Sequence, residues 1–154
     1  MKIQSRWYDR LLFGLALAAL LAATLYVLIA WKRLPEQIPS HYNGLGQPDA
    51  YGPRSGILFL PTIAWFLFVL ISVVELFPSA WNTVNGIRRE NIPAALRLSK
   101  TLIGCLRLGL SLNFAWMIFC TARSVPLGAA ALPLLLVTVF VPTIVITVLL
   151  LRLR

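Results

Sequence analysis

Four long apolar runs divide the chain, and its polar residues collect between them. The first run covers residues 11–31 without a charge, with Lys2, Arg6 and Arg10 before it and Lys32 and Arg33 after it. The others cover 56–77, about 101–121 and about 131–151. A helix needs roughly 20 apolar residues to cross the hydrocarbon core, so each run is long enough to span a bilayer. A secretory signal has an apolar stretch of only about 7 to 15 residues and a small-x-small cleavage site behind it. The first run exceeds that length and no such site follows, which points to a retained helix. Closed barrels, the other way to satisfy every backbone group in lipid, read as alternating strands of about 10 residues. The pattern therefore predicts an all-α fold: an integral membrane bundle of four transmembrane helices, a single domain over residues 1–154, with an ordered Pro/Gly-rich extracytoplasmic loop at 34–55.

Composition narrows the classes further. The 154 residues are 59% hydrophobic and 12% charged, with a mean hydropathy of +0.82, whereas a soluble domain carries about 25% charged residues. Four crossings consume about 80 residues, which leaves no room for a separate soluble catalytic domain. Of the 14 Lys and Arg residues, one side of the membrane holds Lys2, Arg6, Arg10, Arg88, Arg89, Arg97, Lys100, Arg152 and Arg154. The other holds Lys32, Arg33, Arg54 and Arg123, and Arg107 is left inside a span. That bias places both termini in the cytoplasm. The formal charge of +9 then belongs to basic flanks beside anionic lipid, and no basic aqueous domain exists to bind nucleic acid. Cys105 and Cys120 lie 15 positions apart on one helix, about 22 Å, too far to bridge. With a single His, no Cys/His metal site is expected.

The segment 34–55 holds the most information. Pro35, Pro39, Pro48 and Pro53 alternate with Gly44, Gly46 and Gly52, and Tyr42 and Tyr51 lie among them. Prolines fix φ and glycines supply positive φ, so the alternation predicts a compact, turn-rich loop of one shape rather than a linker. Turns at 41–44 and 47–49 would gather His41, Asn43 and Asp49 at the membrane surface, away from the cytoplasm.

On Leu34-Pro35, Ile38-Pro39, His41, Asn43, Gly44, Gly46, Asp49, Tyr51-Gly52 and Pro61, the chain resembles a domain of unknown function. That domain occurs alone in small bacterial membrane proteins and at the N-terminus of SdpI-type toxin-immunity proteins. Stand-alone members also resemble it at Phe77-Pro78, Asn82, Glu90-Asn91 and Pro93, so the likeness runs from Pro35 to Trp116. The family's usual lysine is replaced near Arg54 and Ser55, and the chain is shorter than the immunity proteins at its C-terminal end. The resemblance implies an integral protein of the bacterial cytoplasmic membrane and, from the SdpI-type members, protection against a membrane-active peptide toxin.

Individual residues stay open to two readings each. His41, the one histidine, is the residue type suited to proton transfer or ligand contact at neutral pH, or it holds the loop through backbone carbonyls. Asp49 either orients His41 or caps its own backbone before Tyr51-Gly52. Glu36 reads as a solvated carboxylate, and Tyr42, Tyr51 and Trp31 as interfacial anchors. Glu75 and Arg107 lie inside apolar runs, where a charge costs upward of about 2.5 kcal/mol unless it pairs or snorkels. They are placed to pair, or to take a headgroup or relay a proton. Ser111 and Asn113 suit bonds across helices. Gly14, Ala18 and Ala22 form a small-residue stripe for packing or a dimer face, and Pro142 should kink the fourth helix near Thr138. Asn91 reads as a helix cap ahead of Pro93, so the third helix starts well before its apolar run. Trp81 and Asn82 carry no assignment.

Three functions fit, in descending order. The first is a non-enzymatic protein that recognises a hydrophobic or peptide ligand in an immunity or envelope-protection role. The second is a small transporter or lipid-binding carrier with a polar intramembrane site, for which the absence of an internal repeat makes the pathway small unless the chain forms a homo-oligomer. The third is an enzyme on a lipid headgroup, for which one histidine and no nucleophile motif, metal set or cofactor fingerprint give least support. No catalytic residue, cofactor or metal is assigned. The partners expected are the lipid bilayer and a peptide toxin or lipid ligand.

Overall fold

The computed structural model describes residues 3–81 and 86–154; the unassigned Asn82 lies outside them. The chain is mostly helical, and four of its helices are long and apolar enough to cross a membrane. They are α1 (Trp7–Ala30), α2 (Phe59–Leu76), α3 (Ile92–Ala122) and α4 (Ala131–Leu151). This is the fold of a multi-pass membrane protein, its outer helix faces in contact with lipid.

α3 is the central helix, packed by α1, α2 and α4. Its buried positions accordingly occur all around it rather than on one stripe, and small residues permit the close approaches. A Cβ on Gly104 would meet Leu12 of α1 at 3.1 Å, and one on Gly109 would meet Thr138 of α4 at 3.0 Å. The second approach has a backbone cause: Pro142 has no N–H for the Thr138 carbonyl, and that oxygen lies against Gly109. α4 runs on through Pro142. Asn113 closes the same junction, its Nδ2 donating to the Thr138 hydroxyl at 3.0 Å and to the Gly109 carbonyl at 2.8 Å.

α1 turns Ala16, Leu20, Ala23 and Val27 inward, at spacings of four, three and four that mark one helical face. Of the two readings of the small-residue stripe, packing within the chain is corrected: Gly14, Ala18 and Ala22 are exposed on another face, and a Cβ on Gly14 would touch nothing. α3 begins at Ile92 with Pro93 in its first turn, as the sequence indicates. Asn91 stands at the cap position without capping, its Nδ2 instead donating to the Leu153 carbonyl at 2.9 Å. That bond ties the start of α3 to the end of α4. Trp81, unassigned from sequence, is buried and donates from Nε1 to the Val74 carbonyl at 2.8 Å.

The segment expected to be a compact, turn-rich loop contains a β-hairpin. β1 (Gln37–Tyr42) pairs antiparallel with β2 (Pro48–Pro53), with irregular register around His41. Three prolines are tolerated because a two-stranded sheet has only edges: Pro48 starts β2, Pro53 ends it and Pro39 abuts the irregularity. Ile38 anchors the hairpin, 2% exposed in a cluster with Val27, Leu34, Ile57, Ile118 and Ala122, a burial worth about 1.5–3 kcal/mol.

Candidate functional site

Both polar groups singled out by the sequence are assembled by the fold, at opposite ends. At the hairpin, Asn43 builds the turn. Its Oδ1 accepts from the Leu45 and Gln47 amides at 3.0 Å each, and its own amide donates to the Gln47 carbonyl. Gly46 takes φ +71°, and a Cβ there would fall 2.4 Å from the Gly128 carbonyl oxygen. Gly44 carries no such demand, since a Cβ there meets nothing. The tip rests on the α3–α4 connection, where the Leu127 amide donates to the Gly46 carbonyl at 2.8 Å. Tyr42 adds a second tether through hydroxyl contacts to Thr121 at 3.2 Å and the Val125 carbonyl at 3.4 Å. Burial pushes its phenol pKa up. The Val125 carbonyl is presented by a turn ending α3, in which Ser124 takes φ +51° and the Val125 amide donates back to Cys120.

His41 and Asp49 come together across the hairpin, Nδ1 to Oδ1 at 2.5 Å. Asp49 therefore serves the imidazole. With side chains 68% and 43% exposed, the pair adds at most about 1 kcal/mol of stability; its effect is to orient the ring through Nδ1. Tyr51 is 56% exposed and sits opposite Pro39 in the hairpin.

Beneath the hairpin lies a groove of about 630 Å³, within the range of roughly 300 to 1,000 Å³ of small-ligand sites. Its roof is Ile38 to Gly44, its floor Asn113, Trp116 and Met117 of α3, and its walls Phe59 and Leu60 of α2 and Leu132 and Leu135 of α4. His41, Asn43 and Gly44 line it; Asp49 and Tyr51 do not.

At the other end, Arg107 and Glu75 pair at 2.6 Å, with side chains 2% and 18% exposed. Arg107 also lies 4.7 Å from the Phe13 ring centroid and 3.4 Å from the Ser72 hydroxyl. Lys100 reaches the second Glu75 oxygen at 3.6 Å, so two cations share one carboxylate, and Arg107 Nε has no partner among the described residues. Next to it, Arg97 grips both oxygens of Asp9 at 2.6 Å and the Tyr8 hydroxyl at 2.9 Å. Sequence reasoning missed Asp9, although an acid three residues after Arg6 at the head of an apolar run is the spacing of a helix-capping carboxylate, and it accepts from the Arg6 amide at 2.8 Å. Among the described residues no cluster of three or more His, Cys, Asp or Glu side chains is placed to hold a metal.

A four-helix membrane protein with a hairpin-roofed groove at one end is thus the class defined by the fold. Residues 18–65, from mid-α1 through the hairpin into α2, match the family described as Domain of unknown function (DUF1648). An uncharacterized protein of Archaeoglobus fulgidus is 38% identical over 52 residues, 34% of this chain. The chain spans only about 28% of that relative's length. No solved structure matches the chain.

Proposed function

We propose that the protein resides in the cytoplasmic membrane with both termini inside. There, without being an enzyme, it recognises a hydrophobic or peptide ligand at its outer face, in an immunity or envelope-protection role. The supporting observation is the groove under the hairpin, apolar along its α2 and α4 walls and rimmed by His41, Asn43 and Thr121. The basic residues 88–100 and 152–154 favour the opposite end as cytoplasmic. The single polar pair at the rim, His41 and Asp49, is exposed and has no nucleophile beside it among the groove residues beyond Ser40 and Thr121, which favours recognition over catalysis. A carrier role draws on the surplus cation at Glu75, but none of Glu75, Lys100 and Arg107 lines the groove.

The test is survival of a sensitive bacterial host that expresses the chain and is challenged with a panel of membrane-active peptides. Protection is expected from the wild type and from Tyr51→Ala, and loss of it from Gly56→Leu, which adds bulk at the groove where a Cβ meets nothing within 4 Å. Equal survival with and without the chain across the panel would remove the protective role.

A further inference from the structure

The groove's chemistry is more selective than its shape. Its walls come from the spanning helices α2, α3 and α4, so its floor lies at the level of the apolar layer rather than in the hairpin above it. Phe59 on one wall is 68% exposed and Leu132 on the other 48%, so both walls offer apolar surface to the lipid around them. Apart from His41, whose imidazole is paired with Asp49, the polar side chains inside are hydroxyls and amides. Ser40, Asn43 and Thr121 lie toward the hairpin, and Asn113 lies eight residues deeper along α3, about 12 Å at 1.5 Å per residue. The Asn113 amide nitrogen is committed to Gly109 and Thr138, while its oxygen has no partner among the described residues.

No Lys, Arg, Asp or Glu lines the groove among the described residues. The nearby cations are turned to aromatic rings outside it, Arg54 over Trp31 at 5.8 Å and Arg123 over Phe119 at 5.4 Å. A charged headgroup drawn into such a site loses water and finds no fixed counter-charge, which is costly. A neutral head that carries hydroxyl or amide groups loses less and meets the Ser40, Asn43 and Thr121 side chains at the hairpin end.

We propose that the groove beneath the hairpin binds a neutral single-chain amphiphile taken from the bilayer, with its hydrocarbon chain along Leu60, Met117 and Leu135 and its hydrogen-bonding head under His41 and Thr121. This rests on the ligand-recognition reading above and names the ligand's chemistry. Ser40 and Asn43 lie beside the head at the hairpin end, and the hairpin closes over it.

The experiment is native mass spectrometry of the full chain released from detergent, with added monoacylglycerol or lysophosphatidylglycerol of the same chain length. Retention of monoacylglycerol is expected to exceed that of the charged lipid about tenfold. Gly44→Leu and Gly56→Leu, at sites where a Cβ meets nothing within 4 Å, are expected to lower it by a similar factor while circular dichroism stays unchanged. Equal or stronger retention of lysophosphatidylglycerol overturns the proposal, as does retention that both Leu variants leave intact. If neither lipid is retained but a membrane-active peptide is, and Gly56→Leu abolishes that, the amphiphile is wrong and the broader reading survives. If neither lipid nor any peptide is retained, both fall.

Discussion

At the scale of single residues, the buried charges separate two kinds of loss. Removing one partner of a buried pair costs about 3 to 5 kcal/mol, mostly from the charge left behind. Glu75 neutralises both Arg107 and Lys100, so Glu75→Gln strands two cations and is expected to cost that full amount. Arg107→Met leaves the Lys100–Glu75 pair in place and removes an unpartnered Nε, so it is expected to cost less. Thermal unfolding in detergent of the two variants measures the order, and an equal drop would mean that Lys100 does not share the carboxylate. The residue scale also shows what a sequence can reveal. Glu75 and Arg107 stand out because each interrupts an apolar run, and the argument that pairs them needs only that cost. Lys100 escapes that argument because it reads as one of several flanking cations; only the length of α3, which carries it inward of Ile92 by two turns, makes it a partner.

At the scale of elements, the hairpin is held at three places: Ile38 in the core, Gly46 against Leu127, and Tyr42 on the end of α3. Tyr42→Phe removes the hydroxyl bonds and is expected to cost about 1 kcal/mol. It should also remove a pH dependence. The folded state holds the Tyr42 proton more tightly than the ordinary value of 10.0, because burial penalises the phenolate. Its contribution is therefore whole below that ordinary value and is lost as pH rises through the raised one. Hydrogen exchange at the Leu127 amide should accelerate over that range in the wild type and change less in Tyr42→Phe. Identical profiles would detach Tyr42 from hairpin docking. The four spans were legible because apolar length alone sets them, and the fourth was placed at its observed limits, 131–151. The hairpin was not, since six-residue strands with three prolines read as turns, and pairing across 34–55 depends on which amides need partners. The docking of its tip depends on Gly46 and Gly128 meeting 82 positions apart, a contact no local pattern encodes. His41 and Asp49 were gathered correctly, but the groove they overlook draws on helices far from them in sequence.

At the scale of the whole molecule, the protective role depends on which end faces which compartment. The internal arrangement is fixed by contact: Arg97 on Asp9 and Asn91 on Leu153 bring the chain termini and the start of α3 to one end, and the hairpin closes the other with the α3–α4 connection. The proposed orientation, drawn from the charge bias, puts the terminal end in the cytoplasm. A cysteine scan separates orientation from fold. Ser55→Cys lies on the exposed approach to α2 at the hairpin end, and Gln4→Cys is exposed beside the N-terminus. Native Cys120 is buried and Cys105 partly so within α3, which keeps the background low. In intact cells a membrane-impermeant maleimide is expected to label Ser55→Cys, and to label Gln4→Cys only after permeabilisation. The reverse pattern would keep the bundle and its groove but turn the hairpin inward. A toxin arriving from outside would then have no route to His41, while a lipid could still enter between α2 and α4 from the opposite leaflet, so orientation decides between the protective role and the lipid site before any ligand is known.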